Sequence, residues 1–476
     1  MVRLQIRPAA VALAVLAWAA CDDTTVTPAE VPVYENVGTV PGCTGNCQVR
    51  TNCSQDRGPT TLTGVVNIPA GNLPIYGAKV YIPLGDLPPA PTSGVSCDRC
   101  DSIPPSVAYS ETDFAGRFTL VNVPSGKNIP LIVRVGKWRR VVTLTQEISE
   151  CTSTELDPGL TRLPRNQTEG NIPKIAISTG YGDALECILR KNKLGLDDTE
   201  FGNPNGTSRV NLFAGGLDTR PSGGLDYRGT LNYSASLNGG ASFPASSPAW
   251  DSAPNFWNKY DAVLLSCEGN QLSTQKSSNA RAALLSYINA GGRVFASHWH
   301  NYFIKYGPAP LNTVASFVDA GGFALDTAPI AATVNQSQPK PKALANWLML
   351  PGVGGSTQLG QLAIEHSRVS LTAQVKSPTL SWVDFSSSSI PPGLANPGSQ
   401  YFSFNAPIDK PEKDQCGQMV FTDMHVSGAA PTAPGDHSGA NLPFPTGCTT
   451  TSLTAQEKAL IFMLFDLTNC VAPLVG

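Results

Sequence analysis

The sequence predicts a multidomain chain, with an all-β sandwich near the N-terminus followed by an α/β domain on a mostly parallel sheet. Three observations predict it. Between residues 60 and 165, short β-branched stretches alternate apolar with polar residues and are punctuated by Pro and Gly. From residue 172 onward, strand patterns alternate with stretches of helical period. The composition is rich in Gly (44) and Pro (40) and only 14% charged, against about a quarter in an average globular chain, which suits a loop-rich exported protein.

The first 21 residues have the three regions of a signal peptide. Arg3 and Arg7 are followed by the apolar run 9–17, and Ala19-Ala20-Cys21 ends it with small residues and a cysteine. The cysteine at the cleavage point resembles the lipobox of bacterial lipoproteins, with Trp18 standing where Leu is usual. The resemblance implies lipidation of Cys21, a membrane anchor and a place in the bacterial cell envelope. The formal charge is −3, or −5 once the leader's two arginines are removed, and no Lys/Arg run is present. A weakly acidic chain has no electrostatic basis for binding nucleic acid. Of twelve cysteines, eleven remain when Cys21 is set aside, and export makes disulfides their expected state. An odd number leaves at least one thiol unpaired.

Residues 22–57, rich in Thr, Pro, Gly and Asn, read as a flexible tether in which Cys43, Cys47 and Cys53 can staple a small loop. In the segment 60–165, strands are expected at 62–68, 78–82, 116–121, 131–135 and 140–144. Four strings there, Thr63-Gly64-Val65, Pro74-Ile-Tyr-Gly-Ala-Lys-Val80, Thr112-Asp-Phe-Ala-Gly-Arg-Phe118 and Asn122-Val-Pro-Ser-Gly126, resemble the carboxypeptidase regulatory-like (transthyretin-like) module. Members of that family are spacer and binding modules without catalytic residues of their own. The Cys97-Asp-Arg-Cys100 pair falls in an insertion between strands. Such a pair can be redox-active or half a metal site, but in an exported loop one disulfide or two separate ones is the expectation.

In the segment 172–476, strands are expected at 174–179, 209–213, 260–266, 293–297, 401–404 and 418–422. Asp183 is placed to cap a helix carrying Leu185, Ile188 and Leu189, with Glu186 as its reciprocal partner. Further helices are expected at 278–289, at 343–350, and after the capping box Thr454/Glu457. The strings Phe256–Gly269 and Tyr287–His300, with a helix between them, resemble the class I glutamine amidotransferase-like superfamily, closest to its trehalose-utilisation-type branch. The resemblance implies a flavodoxin-like sheet and makes 417–425 the strand that delivers a histidine, His425. That family's nucleophilic Cys is missing, because His298-Trp299-His300 stands after the Gly-Gly-Arg-Val strand. Glutamine hydrolysis is therefore not expected.

Ligands of open α/β sheets bind beyond the carboxyl ends of the strands. Four stretches converge there in this topology: 180–183, 266–270, 297–301 and 422–427. They supply the candidate catalytic set His298, His300, His425 and Glu268. The candidate metal ligands are His298, His300, His425 and Asp423, a His/carboxylate set suited to a divalent metal such as zinc. Equally, these groups can line a pocket or cap the sheet by hydrogen bonding. Cys267 is either a displaced nucleophile or, as is commoner in an exported protein, half of a disulfide, with Cys187 as a possible partner. The Gly180–Asp183 turn places a carboxylate where a phosphate would sit, which argues against anion binding. Phe243, Trp250, Phe256 and Trp257 either stack on sugars or form a satellite core under the long insertion 214–256.

The function expected from these features is that of an envelope lipoprotein whose α/β domain binds a small molecule or a protein. The alternative is a metal-assisted or His/Glu-dependent hydrolase of an extracytoplasmic carbohydrate or small molecule.

Overall fold

The computed structural model describes residues 38–39, 48–49, 53–54, 57–100, 103–216, 228–252, 256–319, 323–324, 329–385, 398–426 and 442–474. The expected signal peptide and Cys21, most of the 22–57 tether, and His437 lie outside the described residues.

Strands form where β-branched residues alternate. Thr61–Val65 (β1) pairs with Arg117–Val121 (β4) and with Ser153–Glu155 (β7) in a three-stranded sheet. Lys79–Pro83 (β2), Ser106–Glu111 (β3), Ile129–Val135 (β5) and Trp138–Leu144 (β6) form a four-stranded antiparallel sheet in the order β3-β2-β5-β6. In β4 the burial alternates residue by residue, so Phe118 and Leu120 point inward while their neighbours face solvent. Leu62, Phe118 and Leu120 from one sheet and Val80, Leu131 and Val133 from the other belong to one apolar cluster. Two strands that the composition did not reveal, β3 and β7, complete these sheets.

The second part is a ten-stranded mixed sheet. Its strands are Ile175–Ser178 (β8), Phe201–Gly202 (β9), Val210–Phe213 (β10), Ala262–Leu265 (β11), Arg293–Ser297 (β12), Ile330–Val334 (β13), Gln361–Ile364 (β14), Leu380–Phe385 (β15), Gly398–Ala406 (β16) and Gly417–Thr422 (β17). The order across the sheet is β9-β10-β8-β11-β12-β17-β16-β15-β13-β14. Pairing is parallel from β9 to β17 and antiparallel from β17 to β14. The expected mostly parallel sheet thus describes only one side. Of the antiparallel extension the sequence shows only the 401–404 part of β16, because β13 and β14 bury alternate residues of short, weakly apolar segments.

The parallel strands are apolar on both faces, as strands covered by helices on both sides must be. Val263 and Leu265, Val294 and Ala296, and Met419 and Phe421 face helix Ser278–Asn289 (α1), which brings Leu284 and Ile288. Leu264, Phe295 and Val420 face the opposite core, with Leu460, Met463 and Leu464 of helix Ala455–Thr468 (α3). That helix opens with the expected Thr454/Glu457 capping box. The helix expected at 343–350 begins earlier, as Pro339–Leu348 (α2), because Pro339 suits a first turn whose amide needs no partner. Asp183 caps no helix. The helical turn after it spans only Leu185–Ile188, and its cap, Ala184, makes no side-chain bond.

No free linker separates the two parts. Asn171 exchanges backbone hydrogen bonds with Arg139 of β6, and the described residues belong to one compact unit. Tyr76 stacks on Phe462 with centroids 6.0 Å apart, and the Trp347 indole donates to the Pro74 carbonyl at 2.8 Å. Four disulfides are present among the described residues: Cys53–Cys151, Cys97–Cys416, Cys100–Cys470 and Cys187–Cys448. Cys53 therefore reaches Cys151 rather than stapling its own tether. The Cys97/Cys100 pair makes two separate bridges into the large sheet's half of the chain. Such bridging fits an oxidising, extracytoplasmic environment. Among the described residues no helix is long and apolar enough to cross a membrane.

Candidate functional site at the strand tips

The strands β12 and β17 are neighbours and run parallel, with Ser297 opposite Thr422. Their carboxyl ends, and those of β11 and β8, therefore open on the same side of the sheet. Cys267, His298 and His425 come together there, each from the tip of a different strand. One ligand atom from each lies within 4.8 Å of the others. The Cys267 Sγ is 3.6 Å from His298 Nδ1, and the two imidazole rings are 5.0 Å apart at an 80° angle. Cys267 and His298 are buried and His425 is half-buried.

Local backbone geometry sets these positions. His298 has φ +36°, a left-handed conformation for a residue with a Cβ, at the abrupt turn where β12 ends. That conformation costs on the order of 1 kcal/mol, so it persists only where surrounding structure holds it. The backbone of 180–182 lies directly over Cys267. The Gly182 amide donates to the Cys267 carbonyl at 2.7 Å, and a Cβ on Gly182 would sit 2.7 Å from the sulfur. Among the described residues Cys267 is the one free cysteine. The expected Cys187–Cys267 bridge does not form, because Cys187 is bonded to Cys448 and the 180–182 turn shields Cys267.

Beneath the cluster lies Asp183, fully buried. It accepts from the amide of Cys267 at 3.3 Å, from the amide of Val426 at 2.7 Å, and from the hydroxyl of Ser297. One carboxyl thus ties together Cys267 itself, the residue before His298 and the residue after His425. Burial pushes it up to about 7, against the pull of these three donors. The sequence places Asp183 both at a helix cap and in the 180–183 stretch among the strand tips, and of the two only the tip position is found. The signal that it belonged to the site was its position after a strand and two glycines, at a tip. Burial and the nearby Asp183 also raise the Cys267 thiol above its ordinary value, although amides of Gly269 and Trp299 bond to it.

The other candidates are held elsewhere. Glu268 is buried against the Lys276 ammonium at 2.5 Å and accepts from the Gly216 amide at 3.1 Å. Burial works to raise it, but Lys276 and its other neighbours outweigh that and leave it below its ordinary range. His300 donates through Nε2 to the Ser266 carbonyl at 2.9 Å, while its buried Nδ1 has no hydrogen-bond partner. Burial drives His300 down to about 4, so it is neutral at pH 7. At 3.9 Å from Glu268 it makes no ion pair in that state. Asp423 turns to Ser370, accepting from its amide at 2.9 Å and its hydroxyl at 2.8 Å, and burial raises it to about 7. Of the expected catalytic set, then, His298 and His425 meet, while His300 and Glu268 form a separate sealed group. Of the expected metal ligands, His300 and Asp423 stand outside the cluster, and Cys267 takes their place. His366 lies in the turn after β14 with φ +50°. Phe243, Trp250, Phe256 and Trp257 are all buried, so they are core rather than a sugar platform.

No protein-family model matches the chain, and no curated protein matches it. Among solved structures it is similar, at 14% identity and a TM-score of 0.16, to a C-terminal interface mutant of a type II cohesin–X-dockerin complex from Acetivibrio cellulolyticus. That overlap covers 26% of this chain and 78% of the other. The N-terminal interface mutant of the same complex gives 13% identity, 26% and 79% coverage, and again a TM-score of 0.16. An overlap this slight carries no argument about fold or activity.

Proposed function

We propose that this chain is an exported envelope lipoprotein, anchored through Cys21, whose transthyretin-like sandwich carries an amidotransferase-like α/β domain that binds a ligand at its strand tips. The observation that carries the binding assignment is the convergence of Cys267, His298 and His425 at the ends of adjacent parallel strands, where open α/β sheets take their ligands. His298 supports the superfamily resemblance. It has the strained turn after the strand, the position where that family carries its Cys, yet it presents an imidazole. The hydrolase alternative loses support, since it required His300 and Glu268 to join the other two histidines around a cavity. They are instead buried apart from the two histidines, Glu268 against Lys276 and His300 against the Ser266 carbonyl.

The test is native mass spectrometry of the full chain purified from its own envelope fraction. A noncovalent small-molecule adduct is expected on the wild type and is lost in the His298→Ala/His425→Ala variant. A wild type without adduct, or an adduct that survives both substitutions, refutes binding at this site. In the same preparation Cys21→Ser moves the chain from the membrane to the soluble fraction. Retention in the membrane refutes the lipid anchor.

A further inference from the structure

We propose that Cys267, His298 and His425 form a binding site for one zinc-class transition-metal ion, with a thiolate and two imidazoles as ligands and a fourth position beside His425. The inference rests on the reading above that the strand tips are the binding centre, and it names the ligand chemistry there.

The donor geometry is that of a metal site. Zinc lies about 2.3 Å from a thiolate and about 2.05 Å from an imidazole nitrogen, which at a tetrahedral angle sets the two ligand atoms about 3.6 Å apart. The Cys267 Sγ to His298 Nδ1 separation is 3.6 Å. The third donor, on His425, lies inside the same 4.8 Å limit. Sulfur with two nitrogens is a borderline-soft set, which favours zinc, cobalt or copper over magnesium or calcium.

Cysteine chemistry points the same way. Eight described cysteines are consumed in four disulfides, and one thiol is kept apart from them, buried between two imidazoles. The amides of Gly269 and Trp299 bond to its sulfur, as outer-shell donors do at metal thiolates. Asp183 is a positioning residue for the same site. Its hydrogen bonds go to the amides of Cys267 and Val426 and to the Ser297 hydroxyl, so it holds the chain beside all three ligands. On binding, the sulfur lone pair forms the metal–sulfur bond and the thiol proton leaves to solvent, so charge and atoms balance. Cys267 and His298 are buried and His425 is half-buried, which leaves the fourth position on the His425 side. Sites that act on a ligand keep such a position, whereas purely structural zinc sites close it.

The test uses the full chain, stripped with a chelator and titrated with Co²⁺ alone. One equivalent is expected to bind, giving a thiolate-to-cobalt charge-transfer band in the near ultraviolet and the intense visible bands of a tetrahedral site. One equivalent of Zn²⁺ bleaches both. Cys267→Ser removes the charge-transfer band, and His425→Ala weakens Zn²⁺ binding by at least tenfold. Asp183→Asn weakens it about tenfold to a hundredfold while the charge-transfer band persists at saturation, as expected for a residue that acts through the ligands. Should Cys267→Ser fail to fold, X-ray absorption on the zinc-loaded wild type reads the ligand set directly, with one sulfur expected. No stoichiometric metal, or bound metal without sulfur, overturns the proposal. An envelope-derived adduct on a metal-free wild type overturns this inference alone and leaves the binding reading standing. Loss of both adduct and metal binding removes the two together.

Discussion

Glu186 shows how a single buried side chain makes stability depend on pH. It lies in the turn after β8, with one carboxyl oxygen lacking any hydrogen-bond partner. Burial, helped by the nearby Asp183, raises it from the ordinary 4.5 to about 8. The folded chain therefore keeps the proton over a range where the unfolded chain has lost it. The stabilising contribution is complete below about pH 4.5 and disappears as pH rises through about 8. Asp183 and Asp423, both raised to about 7, add slope at lower pH. The Glu186→Gln variant carries no titrating group at this position. Between about pH 7 and about pH 9 its melting temperature should fall less steeply than that of the wild type. Parallel slopes in the two proteins would rule Glu186 out as the source.

Among the elements, the turn after β8 has little tolerance for larger residues. Gly180 and Gly182 are required by close approach: a Cβ on the first would meet the Cys267 carbonyl at 2.3 Å, and on the second the Cys267 sulfur at 2.7 Å. The Gly180 contact is with backbone, which cannot yield, and the Gly182 contact is with a short, buried side chain that has little room to move. Gly182→Ala should therefore cost about 1–3 kcal/mol, as overpacking usually does, and should displace Cys267 from His298. Denaturant unfolding measures the first effect and cobalt absorption the second. An unchanged midpoint together with an unchanged spectrum would show that the turn has room to spare. The capping box of α3, by contrast, was readable from spacing alone, because Thr454 and Glu457 act within a single turn.

Across the whole molecule, disulfides and core join what the residue patterns separate. Cys97–Cys416 and Cys100–Cys470 close loops of 319 and 370 residues in sequence separation. Trp138 packs on Phe465 with centroids 5.6 Å apart, and the hairpin residue Gly136, at φ +51°, lies against the Thr468 carbonyl so closely that a Cβ would come within 1.9 Å. The two parts drawn from periodicity are thus joined by disulfides and an apolar seam over the described residues. The Cys97→Ser/Cys416→Ser variant should lose about 2–4 kcal/mol, the usual effect of removing a native disulfide, while Cys100–Cys470 still restricts the unfolded chain. It should still unfold in one transition, because the apolar seam and the Cys100–Cys470 bridge remain. Two separated calorimetric transitions would instead show that the Cys97–Cys416 bridge is what couples the parts.

The sequence alone determined what depends on neighbours along the chain. Strand alternation, the helix at 278–289, the capping box and the export-type cysteine content all follow from local periodicity, spacing or composition. Placing His298 and His425 at adjacent parallel tips rested on the strand order that the superfamily resemblance implies, and the two imidazoles do meet. Tertiary structure alone decided which third residue joins them, which cysteine stays free, and that Glu268 is neutralised by Lys276. It also decided that Asp183 binds three strand tips rather than one helix. Those outcomes depend on contacts between segments tens to hundreds of residues apart, where burial and partner choice override every local preference.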